Sequence, residues 1–177
     1  CRTRIQEGYS YGYPMNCVGA HVSSCPNHQT LRVTPLYSRF AAAAFGVLGY
    51  ECNLADMSSS DLEKIKKQAV IYKKWREVLQ SGTFYRVRSG RITEWTCVSK
   101  DRTKAVCFIM QELVKPNTVF EKLTPKGLDP DRKYRLVRER FDYDIRNFGD
   151  LINTAAPVHV KQDSVLHNAI ARFVSMH

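Results

Sequence analysis

Four side chains able to bind a metal or act as nucleophiles fall within twelve residues, Cys17, His21, Cys25 and His28, spaced Cys-x3-His-x3-Cys-x2-His. Thiolate and imidazole are zinc ligands, and a structural zinc site gathers four of them at about 2.0–2.3 Å. The spacing argues against one ion. Cys17 and His21 fall four residues apart on what reads as a single strand, which separates their Cα atoms by about 13 Å. Structural sites are commonly built on CxxC knuckles, and the chain has none. A nucleophilic Cys25 with His21 or His28 as its base is a second possibility, but it needs an orienting group and an oxyanion hole that no motif supplies. The simpler reading is a core cysteine with histidines hydrogen-bonded in a polar pocket. Phosphate cradles are excluded, because the nine glycines never take GxGxxG or GxxxxGK[ST] spacing.

The elements that must carry these residues follow from pattern. Residues 16–23 (NCVGAHVS), bounded by Tyr13-Pro14 and Cys25-Pro26-Asn27, read as a short buried strand. Period two puts Cys17, Gly19, His21 and Ser23 on one face and Val18, Ala20 and Val22 on the other. Pro35 to Leu48 reads as an Ala-rich helix with proline in its first turn. Strand, loop and helix make a βα unit. From residue 60 the signal is clearest. Ser60-Asp61-Leu62-Glu63 suits a capping box, Leu62, Ile65, Ala69, Tyr72, Trp75 and Leu79 recur at helical spacing, and Gly82 stops the run. Lysines 64, 66, 67, 73 and 74 lie mostly off that stripe, as a solvated face would.

Beyond residue 82 the chain is rich in β-formers. Phe84 to Arg88 is one strand; Ile92 to Val98 and Ala105 to Leu113 form a hairpin about Ser99–Lys104. Further strands are expected at Thr118–Phe120 and Lys133–Val137, with Leu128-Asp129-Pro130-Asp131 as a turn. The expected fold is therefore a βα unit and a long helix over residues 1–82, then an antiparallel β module over 83–177, a sandwich or part of one.

Composition narrows the function classes. The 177 residues are 44% hydrophobic and 25% charged, as in an ordinary globular chain, and the longest apolar run, Phe40 to Leu48, is far short of the ~20 residues of a membrane span. A net charge of +10 invites a nucleic-acid partner, but the excess is spread thinly. The densest cluster, Arg132-Lys133-Tyr134-Arg135 with Arg138 and Arg140, alternates with apolar residues among acidic neighbours, as on a solvated strand face. Six scattered cysteines suit free thiols in a reducing compartment. The chain starts Cys-Arg-Thr-Arg without Met or signal peptide, which reads as a cut in a longer chain.

The strings Ile5-Gln6-Glu7-Gly8-Tyr9-Ser10 through Tyr13-Pro14, Gly19-Ala20-His21-Val22-Ser23-Ser24-Cys25-Pro26-Asn27-His28-Gln29-Thr30 with Arg32, and Gly46-Val47-Leu48-Gly49-Tyr50-Glu51 resemble the α-galactosidases of glycoside hydrolase family thirty-six. The likeness is strong over about residues 5–54, holds through the 60–85 helix and its GTFYR exit, and is loose beyond. It implies the last βα unit of a (β/α)8 catalytic barrel with its final helices over residues 1–82, followed by an antiparallel β-sandwich C-terminal domain, incomplete, over 83–177. It further implies a retaining hydrolase of raffinose- or melibiose-type α-galactosides, cytoplasmic and bacterial, needing no cofactor and no metal, homo-oligomeric in full length, with no nucleic-acid or membrane partner. Both catalytic aspartates are expected before Cys1, the acid/base in a Ser-Asp-x-Thr-Asp motif ending just ahead of it and the nucleophile in a Lys-x-Asp motif further upstream, neither motif being expected within the segment. No catalytic residue is expected in the segment, and the segment alone is expected to be inactive, since retention needs two carboxyl groups about 5–5.5 Å apart.

On that resemblance His21, Ser23, Asn27 and His28 are the candidate substrate-binding residues, placed where a barrel builds its site, at the carboxyl ends of strands and in the loops after them. They would hydrogen-bond sugar hydroxyls or brace the loop. Leu31 departs from the glycine often found there in the family, which implies a stiffer loop. The rival reading is a basic nucleic-acid-binding or zinc-containing module.

Overall fold

The computed structural model describes residues 2–90, 92–111, 121–122, 125–132, 134–138, 159–160 and 168–175. The chain divides into two compact units, residues 1–81 and 82–177.

The first unit begins with α1 (Arg2–Tyr9), which buries Thr3 and Gln6. A 3-10 turn over Met15–Cys17 then leads into β1 (Gly19–Ser23). The strand thus starts three residues later than its sequence suggests. Pro14 enters in extended geometry, and Cys17 N–H donates to Pro14 O at 2.9 Å while Val18 N–H donates to Met15 O at 3.2 Å, closing a turn before the pairing starts. Cys17 is consequently exposed in a turn and not packed on the strand. Within β1 the expected alternation holds: Ala20 and Val22 are buried, Gly19 and His21 are exposed, and Ser23 is between.

Pro35 stands at the N-cap of α2 (Leu36–Ala43), just outside the first turn in which it is expected, and the helix ends well before Leu48. Ala44 N–H still donates to Phe40 O at 2.8 Å and Gly46 N–H to Ala43 O at 3.1 Å; then Val47 N–H donates to Val18 O at 2.8 Å and the chain becomes β2 (Val47–Glu51). β2 pairs in parallel with β1, Gly19 opposite Val47 through Ser23 opposite Glu51. The expected βα unit is therefore a βαβ unit. The boundary is hidden because the apolar end of the helix and the strand after it merge into one apolar run. Gly46 makes the tight join possible, since a Cβ there would sit 2.5 Å from Val18 O and 2.8 Å from the Ala20 Cβ.

The third helix, α3 (Ser59–Ser81), matches its expected span. Its cap is Ser58, not Ser60: the Ser58 Oγ accepts from Asp61 N–H at 3.1 Å and Ser58 O accepts from Leu62 N–H at 3.0 Å. Of three successive serines, only Ser58 stands three residues before a first-turn amide it can reach. Trp75, Val78 and Leu79 are buried, and lysines 66, 67, 73 and 74 are exposed. The helix also serves β2. Tyr72 Oη donates to Gly46 O and accepts from Leu48 N–H, both at 3.2 Å, Gln80 Nε2 donates to Tyr72 Oη at 2.6 Å, and Tyr50 Oη donates to the buried Gln68 at 2.8 Å. Backbone groups that pairing with β1 leaves over thereby find partners. Burial pushes the Tyr50 phenol well above its ordinary value, with the Cys52 thiol adding to the shift.

The second unit carries a five-stranded antiparallel sheet in the order β3 (Thr83–Ser89), β4 (Ile92–Val98), β5 (Lys104–Gln111), β9 (Asn168–Ser175), β7 (Tyr134–Arg138), and a separate ladder of β6 (Glu121–Lys122) with β8 (His159–Val160). The expected hairpin is there, Val98 opposite Ala105 and Ile92 opposite Gln111. Thr118–Phe120 lies outside the described residues. β4 and β5 are buried along nearly their whole length on both faces. Val98, Ala105, Cys107, Ile109 and Tyr134 form one cluster, and Trp95 meets Phe84 edge-on and Phe108 at a tilt, with ring centroids 5.8 and 5.1 Å away. Tyr134 Oη donates to Arg102 O at 2.6 Å and accepts from Asp129 N–H at 3.1 Å, joining the hairpin turn to the expected turn at Asp129.

Candidate functional site

The polar face of β1 and the loop after it hold all four candidate residues. His21 stands opposite Gly49 of β2. Its imidazole lies against that glycine: a Cβ at position 49 would come 2.5 Å from Cδ2 and 3.1 Å from Nε2 of the ring. The residue is exposed, and the ring has no hydrogen-bond partner among the described residues.

Ser23 ends the strand and is held from two sides. Its Oγ accepts from Arg2 Nη2 at 3.1 Å, and its carbonyl oxygen accepts from Arg39 Nη1, while Arg39 Nε donates to Thr34 O at 3.0 Å. Glu51 is the register partner of Ser23 on β2. Two guanidinium groups and one carboxylate thus gather at the carboxyl end of the parallel pair. Burial draws Arg2 below its ordinary value; Glu51 works against that shift and Arg39 adds to it.

The loop after β1 is organised by Asn27. Its Oδ1 accepts from Gln29 N–H at 3.1 Å, Thr30 N–H at 2.9 Å and Thr30 Oγ1 at 3.0 Å, and the backbone closes the turn through Leu31 N–H to Asn27 O at 2.8 Å and Asn27 N–H to Arg32 O at 3.0 Å. Leu31 takes the left-handed conformation, φ 54°, with its side chain 76% exposed. That is the conformation glycine adopts freely and a leucine does not. His28 is exposed and makes no hydrogen bond among the described residues.

The four Cys and His side chains do not converge among the described residues. Cys17 sits in the turn before β1, Cys25 is exposed with its Sγ 3.6 Å from Thr34 O, and among the described residues no three His, Cys, Asp or Glu side chains converge as a metal site would require. Sequence reading missed Arg2, Arg39 and Gly49. Gly49 carried a signal, being a glycine inside a strand-like VLGYE, which marks close approach of another group. The arginines carried none, since each comes from an element distant in sequence.

A parallel βαβ unit with a polar strand-end cluster is followed in the chain by a separate antiparallel β unit, and comparison gives the family. Residues 1–82 match the melibiase family model, and residues 92–163 match the glycosyl hydrolase family 36 C-terminal domain. The chain belongs to glycoside hydrolase family 36. It is 38% identical over 138 residues to α-galactosidase AgaA of Geobacillus stearothermophilus, covering 76% of this chain and 19% of the relative. It is 39% identical over 141 residues to α-galactosidase 1 of Pediococcus pentosaceus, covering 77% and 19%. Among solved structures, a variant of AgaA in complex with raffinose superposes with a TM-score of 0.85 at 31% identity, covering 99% of this chain and 24% of that one. The α-galactosidase of Lactobacillus brevis does so at 0.84 and 35%, covering 99% and 25%. The chain spans about a fifth of the length of the curated relatives it matches.

That match displaces the nucleic-acid and zinc module as a reading of the chain. One Lys-x-Asp triplet does occur, Lys161-Gln162-Asp163, but it falls within the C-terminal-domain match, and its side chains lie outside the described residues. Among the described residues no helix is long and apolar enough to cross a membrane.

Proposed function

We propose that this chain is the carboxyl-terminal segment of a retaining α-galactosidase, contributing two strands and the rim loop of the catalytic barrel over residues 1–82 and a two-layered C-terminal β domain over 83–177. The likeness across 99% of the chain to an α-galactosidase holding raffinose carries this reading, and the burial of both faces of β4 and β5 supports the two-layered domain. The substrates are raffinose- and stachyose-type α-galactosides, the sugars found in the related AgaA complexes. Two carboxyl groups from elsewhere in the full enzyme perform the displacement and the proton transfers. This segment shapes the mouth that receives the sugar.

Within that mouth the four residues divide by what already occupies them. Ser23 is committed to Arg2, and Asn27 Oδ1 to its own loop, so both brace. His21 and His28 keep ring nitrogens available and contact sugar hydroxyls. The enzyme acts in the cytoplasm as a homo-oligomer; the free thiols of Cys17, Cys25, Cys52, Cys97 and Cys107 support a reducing compartment.

The test is turnover of an aryl α-galactoside and of raffinose by the full-length chain containing these residues. Activity is expected there and absent from the isolated 177-residue segment; a folded, inactive full-length chain overturns the reading.

A further inference from the structure

One side chain holds both ends of the loop between β1 and α2. Arg39, half-buried on α2, donates through Nη1 to the carbonyl of Ser23, the last residue of β1, and through Nε to Thr34 O at 3.0 Å. Those carbonyls stand eleven positions apart in the chain. A guanidinium carries its donors on one rigid plane, so a single group that meets both carbonyls fixes their separation. Among the described residues the other hydrogen bonds of residues 24–34 close the loop on itself. Cys25 Sγ lies 3.6 Å from Thr34 O, Asn27 N–H donates to Arg32 O at 3.0 Å, and Leu31 N–H to Asn27 O closes the turn that holds His28. The loop is therefore a braced body whose base is set by Arg39. His28 lies five positions from Ser23 and six from Thr34, in the stretch most remote along the chain from that base.

Resting on the α-galactosidase reading, we propose that Arg39 is a positioning residue for the outer sugars of a raffinose-type substrate, acting by fixing the base of this loop and with it the place of His28 at the mouth. Barrel sites are built at the carboxyl ends of strands and in the loops beyond them. His21, on the strand itself, stands nearer the reacting galactosyl ring; His28, on the loop, stands nearer the sugars attached to it. An angular error at the base of a braced loop grows with distance from the base, so the loss of Arg39 is felt at the closing turn more than at Ser23. The helix that carries Arg39 begins directly after the loop, with Arg39 N–H donating to Pro35 O at 3.2 Å, which makes clamp and loop end one short frame.

Contacts that are equal in the bound substrate and in the transition state set KM and leave kcat alone. In the full-length enzyme Arg39→Met should raise KM for raffinose by about tenfold with kcat changed by less than about twofold. KM for an aryl α-galactoside, which lacks those outer sugars, should change by less than about twofold. Arg39→Lys keeps the charge and one donor but loses the fork, and should still raise the raffinose KM by about threefold. A substitution that merely loosened the fold would lower the active fraction, and with it the apparent kcat on both substrates alike. That outcome overturns the assignment, as does an equal KM shift on the two substrates. If Arg39→Met does not fold, Arg39→Lys decides alone, and a wild-type raffinose KM there overturns the two-carbonyl clamp. A folded, inactive wild-type full-length chain overturns the α-galactosidase reading and this proposal together, whereas an active wild type with an unchanged raffinose KM in both variants overturns Arg39 alone.

Discussion

The imidazole of His21 lies across the α-carbon of Gly49, its register partner on the neighbouring parallel strand, so closely that a Cβ there would come within 2.5 Å of the ring. One residue's lack of a side chain sets the other's orientation. Gly46, immediately before the same strand, is tight for a different reason, because its neighbours are the Val18 carbonyl and the Ala20 Cβ. A ring can rotate away. A backbone carbonyl cannot. Gly49→Ala in the full-length enzyme should therefore cost less than about 1 kcal/mol of stability yet reduce kcat/KM about tenfold by displacing His21, whereas Gly46→Ala should cost roughly 2 kcal/mol or more. Paired thermal unfolding and steady-state kinetics separate the two; equal effects of the two substitutions on both readouts would sink the distinction.

Leu31 is held in the left-handed region at φ 54° with an exposed side chain. A non-glycine residue there loses about 1–2 kcal/mol, while glycine regains part of that gain for the unfolded chain. Leu31→Gly is expected to stabilise by up to about 1 kcal/mol, seen as a raised denaturation midpoint at unchanged slope, and Leu31→Ala should not. A lowered midpoint in Leu31→Gly contradicts the strain account.

Asn27 accepts three hydrogen bonds through a single oxygen. Asn27→Asp keeps that acceptor and should be nearly neutral, while Asn27→Ala should cost about 1 kcal/mol and loosen residues 27–32. Faster amide exchange at Thr30 in the alanine variant, and not in the aspartate variant, is the check.

In the C-terminal unit Gly127 has φ 82°, and a Cβ on it would collide with the Tyr85 ring. Gly127→Ala thus meets both strain and overlap, and should cost more than 2 kcal/mol. Tyr85→Ala made alongside should recover the overlap part only. Additive losses in the double-mutant cycle would show that the two sites do not touch.

Burial alone pushes the Cys97 thiol up to about 12, and Cys107 is also pushed up, chiefly by burial. A raised thiol pKa means the folded state holds the proton more tightly, so the contribution is complete below the ordinary value of 9.0 and is lost as pH climbs toward about 12. Stability should decline across that window, less steeply in Cys97→Ala. At pH 8 a thiol reagent should label the exposed Cys17 and Cys25 in the folded chain and reach Cys97 and Cys107 only on unfolding. Rapid labelling of Cys97 in native conditions would count against its burial.

Local pattern settled much by itself. The stripe from Leu62 to Leu79 is long enough for its period to be unambiguous, and α3 follows it; the alternation of Ala20, His21, Val22 and Ser23 fixed which side of β1 is polar; and the Ser99–Lys104 turn between two β-rich runs specified the hairpin. The family strings added what periodicity could not, namely what those elements are for. Tertiary structure decided the rest. Whether Ala44 to Leu48 continued a helix or began β2 depended on the strand edge that β1 offered to Val47, because an unbroken apolar run carries no amphipathic period. Cys17 left the site because a turn, not a strand, carries it. The cluster of Arg2, Ser23, Arg39 and Glu51 draws on α1, β1, α2 and β2, residues up to 49 positions apart in the numbering of the chain. No local signal marks them, because their shared chemistry arises only when the parallel strands bring their carboxyl ends together.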